Sequence, residues 1–372
     1  MSEHKNSIKK TICAKNLRIN INALLDARQD EKIINFIHEL HLLLGNEDGE
    51  RQTYSFYIIG DDEIRKRISA ELDFSEYRLP QAKDLQTFNS DVFENAECRV
   101  NATNDIYVIN YYKSLYWIAN RKTNQSVIVK KSDNLFFSVA AGVVLCPLVY
   151  TGDYNIIHSG LVGDGDRNIL VFNGSNKGKT SFELLFHSNG WNILSDDVVY
   201  FDMNGNALPL SIRDYLHIRI GTLIKFSDIF SGVDNIIESY KHHTEEQLYE
   251  IGKRNQLTIS LNSLKGRRDD RGCGTFCITH AMMVEISTNY CGVEVNDLDM
   301  DTIINAAMDM SCCSTVSLFS HIANLVSLEP KTRRERLTQA FENTNKYFVT
   351  AGIDYRDCFG DILKKLKIDR VP

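Results

Sequence analysis

Five polar side chains in one stretch of the chain have the types and spacing that phosphate chemistry requires. Lys179 can neutralise phosphate charge, and the neighbouring Thr180 carries a hydroxyl that can ligate Mg²⁺. Asp196 and Asp197 follow an apolar segment and can hold the metal or take a proton from an attacking hydroxyl. His158 precedes all four and could relay a proton or contact a phosphate. These residues together predict a site for a triphosphate and a divalent cation.

The lysine and the threonine stand where the sequence predicts a strand, a turn and a helix in succession. Ile169 to Phe172 is a short apolar run typical of a buried strand, and a Gly-containing turn follows it. Lys179 opens a segment with helical character, which Asn189-Gly190 ends. Backbone N–H groups of such a turn point at an anion, and the helix dipole favours negative charge there. The predicted phosphate-binding loop comprises Gly174, Ser175, Asn176, Lys177, Gly178, Lys179, Thr180 and Ser181.

Other interpretations of these residues stay open at this stage. The triplet Gly-Lys-Thr is short, and the full P-loop pattern places a glycine at position 173, where this chain has Asn. Asn is the non-glycine residue that best tolerates a left-handed backbone. The alternative is a helix N-terminus with a surface lysine, and His158 could be a hydrogen-bonded histidine at a strand end. Because successive strand residues face opposite sides, Asp196 and Asp197 can both serve the site only if the chain bends there.

The order of these features resembles the catalytic domain of HPr kinase/phosphorylase. The shared order is a His before a strand, a loop with Gly-Lys-Thr, a helix, a Gly-aromatic pair, a strand and Ser-Asp-Asp. The resemblance covers about residues 105–290 and is strongest over 156–202. It is closest to HPr-kinase-related proteins that lack the usual N-terminal domain. It implies an α/β (mixed α+β) fold: a P-loop kinase domain of the HPr kinase and PEP-carboxykinase type with a mixed, strongly twisted sheet.

The resemblance also implies a role for each residue. ATP phosphates would lie on the segment matching Asn173–Thr180, and His158 would lie near the transferred phosphoryl group. The pair Asp196 and Asp197 would serve Mg²⁺ and the substrate hydroxyl, without an assignment of which carboxylate is the base. The expected catalytic residues are therefore Asp196, Asp197, His158 and Lys179, and the expected metal ligands are Thr180 and Asp197.

Three functions follow as expectations. The first is an ATP- and Mg²⁺-dependent kinase whose acceptor is a Ser or Thr of a protein or peptide. The second is a kinase of a small-molecule hydroxyl, and the third is a nucleotide-binding regulatory module that has lost catalysis. The third is motivated by Asn173 and Asn176, which replace two loop glycines of the family pattern. Candidate substrate contacts are Arg219, Arg267 and Arg268; the loop that holds the last two could equally be solvated surface.

Composition limits the other classes of partner. The net charge of −7 gives no global support for a nucleic-acid or anionic-membrane partner. The segment MSEHKNSIKK has no apolar run of the signal-peptide type and no stretch approaches 18 uninterrupted apolar residues, which predicts a cytoplasmic protein. The nine cysteines are odd in number and scattered, which predicts reduced thiols. Cys273, Cys277 and His280 resemble half of a zinc site, but no second pair has matching spacing. Homo-oligomer formation is left open.

Changes in residue composition and in the pattern of apolar residues predict three regions. Residues 1–104 mix helical and strand patterns and form an expected accessory α/β region. Residues 105–298 contain short Tyr-, Ile- and Val-rich strands followed by the phosphate-binding loop, and are the expected catalytic domain. Residues 299–372 are expected to be mostly helical.

Overall fold

A computed structural model describes most of the chain, which is divided into two compact units. The units are residues 1–155 with 312–333, and residues 156–311 with 334–372. The described residues are 5–14, 17–26, 30–44, 52–60, 96–101, 103, 105–111, 115–132, 136–151, 154–174, 177–196, 198–208, 215–244, 247–248, 251–252, 256–266, 275–287, 289–310 and 330–368. The predicted helices over 61–72 and 314–327 lie outside these ranges.

The first unit contains a seven-stranded sheet with the order β1-β2-β3-β7-β6-β5-β4. Its strands are β1 Lys5–Ala14, β2 Leu17–Asp26, β3 Gln52–Ile59, β4 Ala96–Val100, β5 Ile106–Tyr111, β6 Leu115–Asn120 and β7 Gln125–Lys130. Its helices are α1 Glu31–Leu44 and α2 Phe136–Thr151. The β2–β3 and β3–β7 pairs are parallel, and the other pairs are antiparallel.

Alternating burial explains why this sheet forms. Along β2 every second residue is buried, which gives the strand one apolar face for the core. Helix α2 is apolar on all sides and is almost entirely buried, as its composition predicts. Trp117 on β6 is fully buried, and its indole N–H donates to the Ser126 hydroxyl across the sheet at 3.1 Å. The meander predicted from residue 105 onward therefore completes the sheet that the N-terminal strands begin.

The second unit contains the predicted phosphate-binding loop. Its strands are β8 Tyr154–Ile157, at the boundary with the first unit, then β9 Ser159–Gly163, β10 Asn168–Phe172, β11 Asn192–Ser195, β12 Val199–Asp202, β13 Asn206–Ala207, β14 Tyr215–Arg219, β15 Gln256–Ser260, β16 Phe276–Cys277, β17 His280–Ile286, β18 Val293–Asp297 and β19 Asn345–Ala351. Its helices are α3 Lys179–Ser188, α4 Ile220–Lys225, α5 Asp234–Tyr240, α6 Met300–Met310, α7 Pro330–Ala340 and α8 Phe359–Lys365.

A six-stranded mixed sheet, ordered β11-β9-β10-β17-β19-β18, forms the centre of this unit. Strand β10 is buried on both faces. Ile169 and Val171 pack with the apolar side of α3, whereas Leu170 and Phe172 pack with α6 and the end of α7. Smaller sheets, β16-β13-β12-β8 and β14-β15, lie around it. The architecture is mixed α/β, as the sequence predicts.

Two of the sequence-based expectations that differ from the structure concern β19 and the start of α1. Residues 345–351 form β19, a central strand of the sheet, although we expected mostly helix after residue 299. The segment alternates between buried and half-buried positions, and its short pattern is easily lost between two helices. The spacing of apolar residues predicts one helix over 23–44, but residues 23–26 continue β2 and α1 begins at Glu31.

No helix in the described part of the chain is long and apolar enough to cross a bilayer.

His280, one of the three residues that resemble half of a zinc site, gives a prediction about stability. Its ring is buried at the start of β17, with Nδ1 2.9 Å from the Thr279 hydroxyl, whereas Cys277 is exposed on β16. Burial, and secondarily the charge of Arg167, lowers the His280 pKa below its ordinary value of 6.5. The folded protein therefore binds this proton less tightly than the unfolded chain does. The stability that His280 contributes is complete above about pH 6.5 and is lost as pH falls below it.

We expect His280→Gln to flatten the acid side of the stability profile. One such proton can lower the free energy of unfolding by at most about 1.4 kcal/mol per pH unit. Urea unfolding between pH 5 and 7.5 measures this pH dependence. Trp191 lies in the same unit as His280, and its fluorescence is followed in a Trp117→Phe background. The exposed His242→Gln is the matched control and should keep the wild-type slope. An unchanged slope in His280→Gln would contradict the assignment.

Candidate active site at one edge of the central sheet

The strand directions bring the predicted residues to one edge of the six-stranded sheet. Strand β9 runs antiparallel to β10, so that its first residue, Ser159, pairs with the last residue of β10, Phe172. Strand β11 runs antiparallel to β9, and its last residue, Ser195, pairs with Leu161. The residue before β9, the loop after β10 and the turn after β11 therefore share this edge. They contain His158, the loop of residues 173–178, and Asp196.

The end of β17 borders the loop on its other side. Strand β10 pairs in parallel with β17, and its last residue, Phe172, lies opposite Met283. Strand β17 continues three residues further, through Val284, Glu285 and Ile286. This extension lies beside the loop, because the Lys177 carbonyl accepts a 3.0 Å hydrogen bond from the Ile286 amide. The loop is therefore supported by backbone that no local sequence pattern could identify.

Glycine is required at position 178, where the loop becomes the helix. Gly178 is the N-cap of α3 and has φ of 109° and ψ of 12°, in the left-handed region. A Cβ atom there would also lie 2.7 Å from side-chain atoms of Ile286. The N–H groups of the first helical turn have no carbonyl four residues earlier within the helix. Together with the helix dipole they form a favourable position for an anion.

Lys179 and Thr180 are the first two residues of α3, and both side chains are half-buried. The Lys179 ammonium donates to the backbone carbonyl of Asn173 at 3.1 Å. The lysine thus folds back over the loop to the residue that follows β10. A cation in this position can move to a phosphate bound by the same loop, and the Thr180 hydroxyl is an oxygen ligand of the kind that Mg²⁺ prefers.

The chain bends between β11 and β12, where the two aspartates lie. The pairing of β11 with β9 is irregular between Ile193 and Ser195. The Ser195 hydroxyl donates to the Val198 carbonyl at 2.8 Å, and the Val198 amide donates to the Asp196 carbonyl at 2.9 Å. Asp196 is buried in this tight turn, and Asp197 lies outside the described residues. An irregular strand pairing followed by a turn is the kind of bend that two adjacent carboxylates need in order to face one site.

His158 separates two strands that we expected to be one. The sequence predicts a strand over 155–162, whereas β8 ends at Ile157 and β9 begins at Ser159. The His158 amide donates to the Met310 carbonyl at 2.9 Å, and the side chain is half-buried. The break places His158 at the same edge as the loop, next to the pair Ser159–Phe172.

The first turn of α3 contacts two segments that are distant along the chain: α4 and the residues after β19. The Ser181 hydroxyl lies 3.2 Å from that of Thr222 on α4, and the Tyr355 side chain is buried beside this turn. Burial is the main reason that the Tyr355 pKa is raised above its ordinary value of 10.0. The Tyr355 ring stacks on Phe182 with 6.0 Å between centroids. These contacts fix the helix start. Thr222 and Tyr355 could not be predicted from the sequence, because they are distant from Ser181 along the chain.

The candidate substrate arginines are only partly described. Arg219 is the last residue of β14 and directly precedes α4, the helix whose Thr222 contacts the first turn of α3. Its side chain is half-buried and packs beside Gly252. Arg267 and Arg268 lie outside the described residues, as do Ser175 and Asn176 of the loop.

Lys177 and Glu285 form an ion pair at this edge that we did not predict from the sequence. The Lys177 ammonium lies 2.5 Å from a Glu285 carboxylate oxygen, and both side chains are partly exposed. Lys177 was predicted as a loop residue that contacts nucleotide, but here its charge is directed to the end of β17. Nothing near Glu285 in the sequence signals this role.

The donors at this edge suit a hard divalent cation. Thr180 offers a hydroxyl oxygen and Asp196 a carboxylate oxygen, and Mg²⁺ is usually held by one or two such protein ligands together with substrate phosphates. No group of three or more His, Cys, Asp or Glu side chains positioned to hold a metal occurs among the described residues, a set that lacks Asp197. A site completed by phosphate oxygens and water needs no such group.

No protein-family model matches the chain, and no curated protein matches it.

Proposed function

We propose that the protein is an ATP- and Mg²⁺-dependent phosphotransferase with a P-loop kinase domain of the HPr kinase and PEP-carboxykinase type. One observation carries the proposal: a single sheet edge gathers a loop that precedes a helix N-terminus, a lysine and threonine on that helix, and a buried aspartate. His158 and the Asn173–Gly178 loop flank the paired ends of β9 and β10. Phosphoryl transfer depends mainly on positioning and on neutralisation of charge, and this edge offers both.

The proposed binding mode assigns a task to each group. The loop and the first turn of α3 bind the phosphates through backbone N–H groups, and Lys179 leaves the Asn173 carbonyl to contact the terminal phosphates. Thr180 and one aspartate hold Mg²⁺, which supplies charge neutralisation on the transferred group. The other aspartate takes the proton of the acceptor hydroxyl, and His158 contacts the transferred group or relays the proton.

The proposed acceptor is the hydroxyl of a Ser or Thr in a protein or peptide. Support for this part comes from the resemblance to HPr kinase, and a small-molecule hydroxyl is the alternative. A small molecule would require an enclosed pocket with several convergent polar groups, whereas a peptide requires an open groove. We further propose a cytoplasmic location, where ATP is abundant and thiols stay reduced.

We expect Lys179→Ala to weaken Mg·ATP binding about 10- to 100-fold, because one charge-assisted contact to phosphate is lost. The fold should be intact, since the side chain is half-buried at a helix start and its ammonium donates to a loop carbonyl. Isothermal titration calorimetry with Mg·ATP and Mg·ADP measures the affinity, and circular dichroism checks the fold.

Lys364→Ala is the matched control, because Lys364 is an exposed lysine on α8 of the same unit. It should bind Mg·ATP like the wild type. Equal affinity of Lys179→Ala and wild type would rule out the proposed phosphate site.

A further inference from the structure

We propose that Asn173 is the positioning residue of the loop. Its side-chain amide, which the glycine expected at this position would lack, attaches the loop to β17. The inference rests on the proposed function, because the loop is the proposed phosphate site. In the family pattern, Asn in place of Gly at position 173 would count as a defect of the loop. Here the same Asn attaches the loop to β17. Three contacts of Asn173 carry it.

The Asn173 side chain uses both ends of its amide. Its Nδ2 group donates to the Val284 carbonyl at 2.9 Å, and its Oδ1 atom accepts from the Gly174 amide at 2.7 Å. One partner is a carbonyl and the other an N–H, so only one orientation of the amide satisfies both. The side chain thereby extends the contact between the two strands past Phe172 and Met283, the last paired residues. A glycine at position 173 could make neither bond.

The backbone at position 173 does not require glycine. Among the described non-glycine residues only Asn124 and Lys367 have positive φ, so Asn173 lies in an ordinary region. The left-handed turn of the loop is made at Gly178 instead. Asparagine is therefore present for its amide and not for its tolerance of a left-handed backbone.

The same residue also holds the lysine. The Lys179 ammonium bonds the Asn173 carbonyl at 3.1 Å, so the atom on which Lys179 rests belongs to the residue that the amide fixes. The other end of the loop is tied to β17 separately, by the Ile286 amide on the Lys177 carbonyl and by the Lys177–Glu285 pair. Both ends of the loop are thus attached to the last three residues of β17. A loop held in this way loses less conformational freedom when phosphate binds.

The test restores the glycine of the pattern. We expect Asn173→Gly to bind Mg·ATP about tenfold more weakly than wild type, equivalent to about 1.4 kcal/mol, because the two hydrogen bonds of the Asn173 side chain are lost. Asn173→Ala should weaken binding by a similar factor, since it removes the amide without adding glycine flexibility. Asn189→Gly, the same replacement at the exposed far end of α3, is the control and should bind like the wild type.

Hydrogen exchange of the Gly174 amide, measured without nucleotide, gives a second readout. This N–H donates to Asn173 Oδ1 in the wild type, so its exchange rate should rise in both Asn173 variants. In Asn189→Gly the exchange rate should equal that of the wild type. Tight binding by Asn173→Gly, at or above the wild-type affinity, would overturn the proposal. So would wild-type affinity in Asn173→Ala, since the effect would then be due to glycine flexibility alone.

The two proposals fail in different ways. If wild-type protein binds neither Mg·ATP nor Mg·ADP, the proposed function fails, and the exchange rate of Gly174 still decides whether Asn173 positions the loop. If wild-type protein binds nucleotide and the Asn173 variants match it in affinity, the proposed function stands and the positioning role fails.

Discussion

Asp196→Asn should reduce phosphoryl transfer by about 10²- to 10⁴-fold while nucleotide affinity changes little. The carboxylate is buried in the turn after β11, at the sheet edge that holds the loop. Asparagine keeps the shape of the side chain but can neither accept a proton nor carry the charge that a metal ligand needs. Its effect should therefore appear in the chemical step. Transfer from radiolabelled ATP to a library of Ser- and Thr-containing peptides, with phosphate release to water as a second assay, measures the rate.

Asp166→Asn is the matched control for this change. Asp166 is exposed in the turn between β9 and β10, at the opposite end of these strands from His158 and the loop. It should transfer phosphate at the wild-type rate. Near wild-type turnover in Asp196→Asn would show that this carboxylate is structural and would leave Asp197 as the remaining candidate.

The local part of the site could be predicted because neighbouring residues encode it. A buried strand, a glycine-containing turn and a helix with Lys179 at its start follow one another along the chain, and the structure has them at 168–172, 173–178 and 179–188. The need for glycine at 178 could be expected from the turn pattern alone. Its second cause, the side chain of Ile286, could not, since that residue joins the loop only through strand pairing.

The rest of the site depends on pairings between distant strands, which the sequence does not specify. The loop is attached to Val284 and Glu285, more than a hundred residues away, because β10 pairs in parallel with β17. Parallel pairs are joined by long crossover connections and have no turn that signals the partner. Strand β19, which we did not predict, pairs with β17 and β18, and Tyr355 follows it. The support behind the site is therefore visible only in the fold.

The second large effect concerns the first unit, where an ion pair is buried. The Lys130 ammonium lies 2.6 Å from Asp30 Oδ1, and the side chains are 3% and 0% exposed. The other oxygen, Oδ2, accepts from the Asp26 amide at 2.9 Å. Asp30 directly precedes α1, and Gly60 approaches it so closely that a Cβ would lie 2.2 Å from Oδ2. The pair therefore joins the ends of β2, β3 and β7 to the start of α1.

Removal of either partner leaves a buried charge without its counter-ion. We expect Lys130→Met and Asp30→Asn each to destabilise the first unit by about 3–5 kcal/mol. The double variant should be much less destabilised than the sum of the two, because neither buried charge remains. Asparagine at position 30 keeps an oxygen for the Asp26 amide, so the double variant tests the charges and not the helix start.

The two tryptophans allow the first unit to be followed by itself. Trp117 belongs to the first unit and Trp191 to the second, and the chain has no others. Urea unfolding monitored by Trp117 fluorescence in a Trp191→Phe background gives the free energy of unfolding for each variant. Lys122→Met is the matched control, because the Lys122–Asp105 pair in the same sheet has the same 2.6 Å distance but a lysine that is 70% exposed. Lys122→Met should lower the free energy of unfolding by no more than about 1 kcal/mol. Simple additivity of Lys130→Met and Asp30→Asn would show that the buried charges do not depend on each other.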